Sequence, residues 1–210
     1  MIKRQIELPI AEIYEECLNS CISFCGIQKD TARGQKILKA CIETREKFCR
    51  DVKLKILITP FEGKCVTEEG FLIGENKICC KDLKKQLPST VTGGYAYVVF
   101  ADEIRPEGMN TLQAYYADCW MSAYVDAGFR SLKTILKKEA VKDFCPESGE
   151  KAEITVFDSF APGFYGMPPK CTCDLFGLLE LSGLGMELTP DNLIIPQKSI
   201  IGIYPVAAAL

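Results

Sequence analysis

A nearly continuous apolar run constrains the fold of this chain more than any other feature. Tyr95–Ala101 (YAYVVFA) lacks the alternation of apolar and polar residues that marks a half-buried strand. A strand of this composition is covered on both faces, so it predicts a central strand with packed elements on each side. Gly93-Gly94 precedes the run instead of following it, which fits a turn and not the phosphate-binding loop of dinucleotide folds.

Helical and strand periodicities interchange along the rest of the chain. The predicted helices span 10–24, 30–50, a short stretch within 78–87, 111–138 and 173–181, and Asp30 or Thr31 caps the second of them and Asn110 the helix 111–138. The predicted strands span 52–58, 71–74, 77–80, 95–101, 154–157 and 199–204. Loops are predicted at 145–149 and 161–169. Helices come in pairs between single strands or hairpins, which favours the α+β class with a mainly antiparallel sheet. Without repeats or a linker, residues 1–210 are predicted to form a single domain, in which 1–90 supplies the N-terminal helices and strands.

Composition excludes several classes of function. The chain has no histidine, so Ser-His-Asp and Cys-His catalysis and HExxH metal sites are ruled out. A net charge of -3 argues against nucleic-acid binding, which requires a basic face. The N-terminus turns acidic before a long apolar run forms, and the apolar C-terminus is too short to span a bilayer. We therefore expect a cytoplasmic protein with no membrane partner.

Twelve cysteines are the most unusual part of the composition. Secreted disulfide scaffolds are usually short, whereas this chain is long, and many of its cysteines occupy apolar positions, where cysteine packs as a small hydrophobe. Cys17, Cys21 and Cys25 form a CxxxCxxxC string on one face of a predicted helix. Sulfurs strung along a straight helix cannot surround a metal cluster, so we predict a buried stripe and no metal ligands. A metal or redox role for Cys79-Cys80 or Cys171-x-Cys173 is the alternative.

The long helix and the loop that follows it later in the chain are the candidate ligand-binding elements. Small residues make the middle of the helix narrow, which suits tight packing on a sheet or the approach of a flat ligand. Asp118 and Asp126 lie in its apolar middle, where either both face water or at least one holds a cationic group of a ligand. The segment 159–169 (SFAPGFYGMPP) is rich in glycine, proline and aromatic residues. It is either a structural crossover or a rigid loop that lays backbone groups and an aromatic ring against a ligand.

Four segments of the chain carry a family resemblance. They are 97–102 (YVVFAD), 112–129 (LQAYYADCWMSAYVDAGF), 161–179 (APGFYGMPPKCTCDLFGLL) and 188–203 (LTPDNLIIPQKSIIGI). In this order they resemble the activation domain of cobalamin-dependent methionine synthase, especially its short stand-alone homologues. The last two segments are specific as an ordered pair, and from 97 to 203 the four span about half of the chain.

The resemblance implies a fold and a function. The family fold is an α+β domain with a curved antiparallel sheet, which binds S-adenosylmethionine and docks on a cobalamin-binding domain. When the cobalt is oxidised accidentally, an electron from flavodoxin and the methyl group of S-adenosylmethionine restore methylcobalamin. The domain contributes placement and no nucleophile, so no catalytic residue is expected. Cobalamin would be bound only by a partner protein.

The family's binding signature, Arg-x-x-x-Gly-Tyr, maps onto the loop residue by residue. Gly163 matches the glycine, Phe164 the aromatic residue, with Tyr165 next, and Ser159 stands in place of the arginine. That arginine would hold a carboxylate through two parallel hydrogen bonds, which serine cannot do. The resemblance implies that Ala161, Pro162, Gly163, Phe164 and Tyr165 form the ligand wall, and that Asp126 faces the ammonium group of the ligand.

Three functions follow as hypotheses. The first is an accessory that binds S-adenosylmethionine and reactivates a corrinoid protein or cobalamin-dependent methyltransferase, with an electron donor of the flavodoxin or ferredoxin type. The second is a non-enzymatic docking module that has kept the fold but lost the nucleotide, as the serine at position 159 favours. The third is a cysteine-ligated metal or redox protein.

Overall fold

The computed structural model describes residues 3–87, 91–145 and 153–209. The strands are β1 (Arg4–Leu8), β2 (Leu54–Glu62), β3 (Gly70–Ile73), β4 (Asn76–Cys79), β5 (Gly93–Ala101), β6 (Glu153–Val156), β7 (Glu187–Leu188), β8 (Ile194–Ile195) and β9 (Ser199–Ala209). The helices are α1 (Tyr14–Phe24), α2 (Ala32–Thr44), α3 (Leu83–Gln86), α4 (Thr111–Phe144) and α5 (Cys171–Leu178). A 3-10 turn (Ile10–Ile13) leads into α1, and a π-helical turn (Arg45–Cys49) extends α2.

One antiparallel sheet organises the described residues. Its strand order is β1-β2-β5-β9-β6, and it curls into half a barrel. The strands β3 and β4 form a separate hairpin, and β7 pairs with β8. The predicted α+β class with a mainly antiparallel sheet is confirmed, and the assignment of 1–210 to a single domain stays a prediction.

The central strand divides the apolar interior into two cores. Successive side chains of a strand point to opposite faces. On β5, Tyr95, Tyr97 and Val99 therefore join the core under α1, α2 and α4, while Val98 and Phe100 join the core that contains α5 and the β3–β4 hairpin. All nine residues of β5 are buried, which confirms the prediction of a strand covered on both faces.

Several element boundaries differ from the prediction. The strand β1 was not predicted, although its Gln5 and Glu7 alternate with partly buried residues and it pairs with β2 along its whole length. Helix α4 continues six residues past the predicted end. Its N-terminus has the predicted cap, since Asn110 accepts from the Gln113 backbone N–H at 2.9 Å and the Gln113 side chain accepts from the Asn110 N–H at 3.0 Å.

The C-terminal elements are also longer or displaced. Strand β9 runs on through Pro205, whose carbonyl accepts a hydrogen bond from the Phe157 N–H at 3.0 Å. Helix α5 begins at Cys171, two residues before the predicted start. Within the described residues, we find no helix with both the length and the apolar character that crossing a membrane requires. Residues 146–149 of the predicted loop lie outside the described residues.

Candidate functional site

The loop 161–169 is irregular as predicted, and it is fastened at its start and in its middle. Just before it, Phe160 and Ile203 of β9 exchange two backbone hydrogen bonds of 2.8 Å each. In its middle, the carbonyl of Tyr165 accepts from the Cys80 thiol at 3.0 Å and from the Asp82 N–H at 3.3 Å. Gly163 has a φ of 91°, a left-handed conformation that glycine adopts without strain. The sequence therefore builds a loop of fixed shape against the edge of β9.

The two aromatic side chains of this loop point in different directions. Tyr165 packs on Phe160, with ring centroids 5.2 Å apart, and Phe160 in turn packs edge-on against Phe71 at 5.9 Å. Phe164 is 66% exposed. The buried Phe160 thus anchors the ring of Tyr165, which remains 38% exposed, whereas Phe164 is free to contact a ligand.

A cleft of about 520 Å³ opens between the loop, the start of α5 and the edge of β9. This volume lies within the usual range for small-molecule sites. Its lining consists of Ala161, Pro162, Phe164, Thr172, Asn192, Leu193, Ile194, Gln197, Ser199, Ile200 and Ile201. Among these residues there is no charged side chain, so the cleft is suited to a neutral, partly aromatic group.

The polar side chains of the cleft are hydroxyls and carboxamides. Asn192 and Gln197 can each donate and accept hydrogen bonds, as can Ser199. Thr172 donates to the carbonyl of Pro169 at 2.8 Å, which leaves its oxygen able to accept. These side chains can form hydrogen bonds with the edge of a heterocycle or with the hydroxyls of a sugar, and none of them carries a charge.

A smaller pocket of about 210 Å³ shares Gln197 with the cleft and carries charge. Its walls include Ala114 and Ala117 of α4, which belong to the small residues of that helix. Asp118 binds Lys198 across it, with an oxygen-nitrogen distance of 2.9 Å. Of the two predicted alternatives, Asp118 fits the first: its side chain is 62% exposed and faces water, and the cation that it binds is a lysine of the protein itself.

Asp126 lies elsewhere on α4 and is already partnered. Its carboxylate accepts from the Ser20 hydroxyl of α1 at 2.8 Å and from Arg130 at 2.7 Å. Neither the cleft nor the smaller pocket includes Asp126 in its lining. The structure therefore does not bring Asp126 and the loop together, because Asp126 sits where α1 packs on α4.

Ser159 also differs from the role that the resemblance implies for its position. Its hydroxyl is 2.6 Å from the hydroxyl of Tyr97, which is fully buried beneath α4. Burial raises the pKa of Tyr97, so the pair stays neutral over the physiological pH range. Ser159 completes a buried hydrogen bond instead of offering a positive charge to a ligand.

The predicted site residues therefore fall into three groups. Ala161, Pro162 and Phe164 line the cleft, whereas Gly163 forms the turn between them and Tyr165 packs behind it. Ser159 and Asp126 lie outside the lining. Sequence reasoning missed the contributions of Thr172 and of 192–201, although both lie within the two segments that carry the most specific part of the resemblance.

The cysteine predictions are confirmed in part. Cys17 and Cys21 are fully buried on α1, as a packed stripe requires, and Cys25 is half-buried. Cys171 is buried and Cys173 exposed, and neither lines the cleft. Burial raises the pKa of Cys17 to about 12 and that of Cys49 to about 11, which keeps both thiols protonated and unreactive.

Comparison with known proteins identifies the fold. No protein-family model matches the chain, and no curated protein matches it. Among solved structures, it is similar to the crystal structure of the MetH reactivation domain bound to AdoHcy, with a TM-score of 0.57. The match covers 98% of this chain and 78% of that one. This chain has the reactivation-domain fold. At 14% sequence identity the likeness establishes the fold alone.

Proposed function

We propose that this protein is an accessory for the reductive remethylation of a corrinoid-dependent methyltransferase, and that its cleft accepts S-adenosylmethionine. One observation carries the proposal: the loop whose sequence resembles the family's ligand-binding loop walls a cleft of about 520 Å³. A protein of the same fold is known with AdoHcy bound. The corrinoid would be held by the partner protein.

The adenosyl group fits the character of the cleft. An exposed aromatic ring can stack on adenine, and Phe164 is 66% exposed at the cleft wall. The carboxamides of Asn192 and Gln197 can exchange hydrogen bonds with the adenine edge and the ribose hydroxyls. Adenine and ribose are neutral, in keeping with a lining that has no charged residue.

The charged part of the ligand needs another location. In the absence of an arginine at position 159, the smaller pocket offers Asp118 and Lys198, which line it together with the shared Gln197. We propose that the ligand's amino-acid end reaches this pair, with its carboxylate against Lys198 and its ammonium against Asp118. A zwitterion can exchange partners with an existing ion pair without leaving a charge unpaired.

The reaction requires placement and no protein nucleophile. The partner's corrinoid would supply the methyl acceptor, and a flavodoxin- or ferredoxin-type donor would supply the electron that returns it to its reduced state. Methyl transfer from S-adenosylmethionine would leave S-adenosylhomocysteine as the product in the cleft. In this protein the loop and β9 would hold the sulfonium in line with the cobalt, which lowers the barrier by orientation.

Isothermal titration with S-adenosylmethionine and S-adenosylhomocysteine tests the ligand. Phe164→Ala should weaken binding by about tenfold or more, because base stacking on an aromatic residue contributes roughly 1–3 kcal/mol. Phe24→Ala is the matched control, since Phe24 is also exposed but lies on α1 and not in the cleft. The absence of heat at millimolar ligand would remove S-adenosylmethionine from the proposal.

A docking module without nucleotide binding is the second candidate. Two observations favour it: Ser159 uses its hydroxyl on the buried Tyr97, and the cleft rim exposes Phe164 and Leu193, the latter at 60%. Surface plasmon resonance with a purified cobalamin-binding domain distinguishes the candidates. Binding that is equal with and without S-adenosylmethionine supports the docking module, and binding that strengthens with the ligand supports the accessory.

A further inference from the structure

Four cysteines from three helices meet at the C-terminal end of α1. The sulfur atoms of Cys21, Cys25 and Cys41 all lie within 4.8 Å of one another, and those of Cys21 and Cys41 are 3.5 Å apart. The thiol of Cys119 on α4 interacts with that of Cys25. This cluster is formed by tertiary packing, because Cys41 comes from α2 and Cys119 from α4.

Local geometry explains why these sulfurs converge. Helix α1 ends at Phe24, Gly26 then turns the chain with a φ of 62°, and the Ile27 N–H donates to the Ile22 carbonyl at 3.0 Å. This turn places Cys25 at the mouth of the cluster. On α2, the carbonyl of Cys41 accepts from the Trp120 indole N–H of α4 at 2.9 Å, which fixes α2 against α4.

We propose that Cys21, Cys25 and Cys41 bind one thiophilic metal ion of the zinc class, with Cys119 as the fourth ligand. Tetrahedral zinc with Zn–S bonds of about 2.3 Å separates its sulfur ligands by about 3.8 Å. The observed spacing of the three sulfurs brackets that value, so small side-chain rotations suffice to close the site. The inference is independent of the proposed function, since the cluster includes no residue that lines the cleft.

The objection from sequence, that cysteines along one helix cannot surround a metal, does not apply to this arrangement. Cys17, the first residue of the CxxxCxxxC string, is absent from the cluster, and its place is taken by Cys41 from a second helix. The cluster is not sealed from solvent, because Cys25 is only half-buried. Each ligating thiol would release its proton as the ion binds.

Cobalt titration of the reduced protein, stripped of metal and kept free of oxygen, tests the site. Co²⁺ is the probe because tetrahedral thiolate ligation gives it intense sulfur-to-metal charge-transfer bands. We expect saturation at one equivalent, displacement of the cobalt by Zn²⁺, and loss of the bands in Cys41→Ala and Cys25→Ala. Cys25 is only half-buried, so its variant tests the site even if Cys41→Ala fails to fold.

Two matched variants distinguish cobalt binding at the proposed site from cobalt binding to unrelated thiols. Cys17→Ala removes a buried cysteine of the same helix, and Cys173→Ala removes an exposed one on α5; both should keep the full cobalt spectrum. Absence of charge-transfer bands in the unmodified protein, or bands that persist in both Cys25→Ala and Cys41→Ala, would overturn the proposal. The cluster would then be thiol packing in the core.

Discussion

The hydrogen bond between Ser159 and Tyr97 links the loop to the interior of the molecule. Tyr97 is fully buried and packs its ring on Phe129 and Tyr204, with centroids 6.1 and 5.1 Å away. A buried hydroxyl that loses its partner keeps its desolvation cost without compensation. Ser159 therefore contributes to stability through a group that solvent cannot reach.

Replacing Ser159 with alanine tests this link. Ser159→Ala should lower the free energy of unfolding by about 1–3 kcal/mol, because the Tyr97 hydroxyl is left unpaired. Tyr97→Phe combined with Ser159→Ala should recover part of the loss, since the orphaned hydroxyl is gone. Urea unfolding of both single variants and the double variant measures the coupling, and strictly additive losses would contradict it.

Tyr95 predicts a loss of stability in alkali. Its pKa is raised first by burial and then by the hydrogen bond that it donates to Asp143 at 2.5 Å. In the unfolded chain tyrosine ionises near about pH 10, so above that pH the unfolded state binds fewer protons than the native state. Stability should be unaffected by this group below about pH 9 and fall progressively above pH 10.

Unfolding free energies measured between pH 8 and pH 11 check this behaviour. Tyr95→Phe removes one titrating group and should make the alkaline decline less steep. An equal slope in the variant and the unmodified protein would show that Tyr95 does not contribute.

Single residues also show where prediction from sequence ends. The loop residues Ala161, Pro162 and Phe164 could be predicted because the loop's composition and its family motif both lie in one short stretch of the sequence. The role of Asp126 could not, because its partner Ser20 lies 106 positions away and only the packing of α1 on α4 brings them together. The partners of Ser159 and Cys41 were missed for the same reason.

At the scale of elements, a continuous apolar run predicted its strand correctly, whereas a proline or a short polar alternation did not show where a strand ends. The continuous apolar run of β5 predicted a central strand correctly. The sequence did not predict β1 or the part of β9 that begins at Pro205. Both depend on pairing with a strand distant in the sequence and not on local propensity. Strand β9 matters most for the site, because it pairs with β5, holds Phe160 and supplies the cleft wall.

Gly202 is the position on β9 where the loop approaches most closely. A Cβ atom added there would lie 2.6 Å from the Phe160 carbonyl oxygen and 2.9 Å from the Tyr97 hydroxyl. Gly202→Ala should therefore destabilise the protein by roughly 1–3 kcal/mol, as overpacking does, and should loosen the loop. Thermal unfolding measures the first effect and ligand titration the second.

Gly177→Ala on α5 is the control for this substitution. A Cβ atom at Gly177 meets no atom within 4 Å, and alanine is favoured over glycine in a helix. It should be neutral or slightly stabilising. Equal behaviour of the two variants would contradict the close approach of the loop to β9.

At the scale of the whole molecule, the sheet separates the cysteine cluster from the cleft. The core beneath α1, α2 and α4 contains the cysteine cluster, and the opposite core supports the loop and α5 at the cleft. The edge of β9 ahead of its pairing with β6 joins the two sides, since Gln197 and Lys198 precede this strand between the cleft and the smaller pocket. A ligand at this edge could contact both the loop and α4 without entering either core.

The central claim is that this edge binds the adenosyl group, and backbone amide chemical shifts measured during titration with S-adenosylhomocysteine test it most directly. The account predicts saturable shifts concentrated at Ala161, Gly163 and Phe164, at Thr172 and at the non-proline residues of 192–201, with the amides of α1 unchanged. Absence of saturable shifts, or shifts centred on α1 and α2, would contradict it.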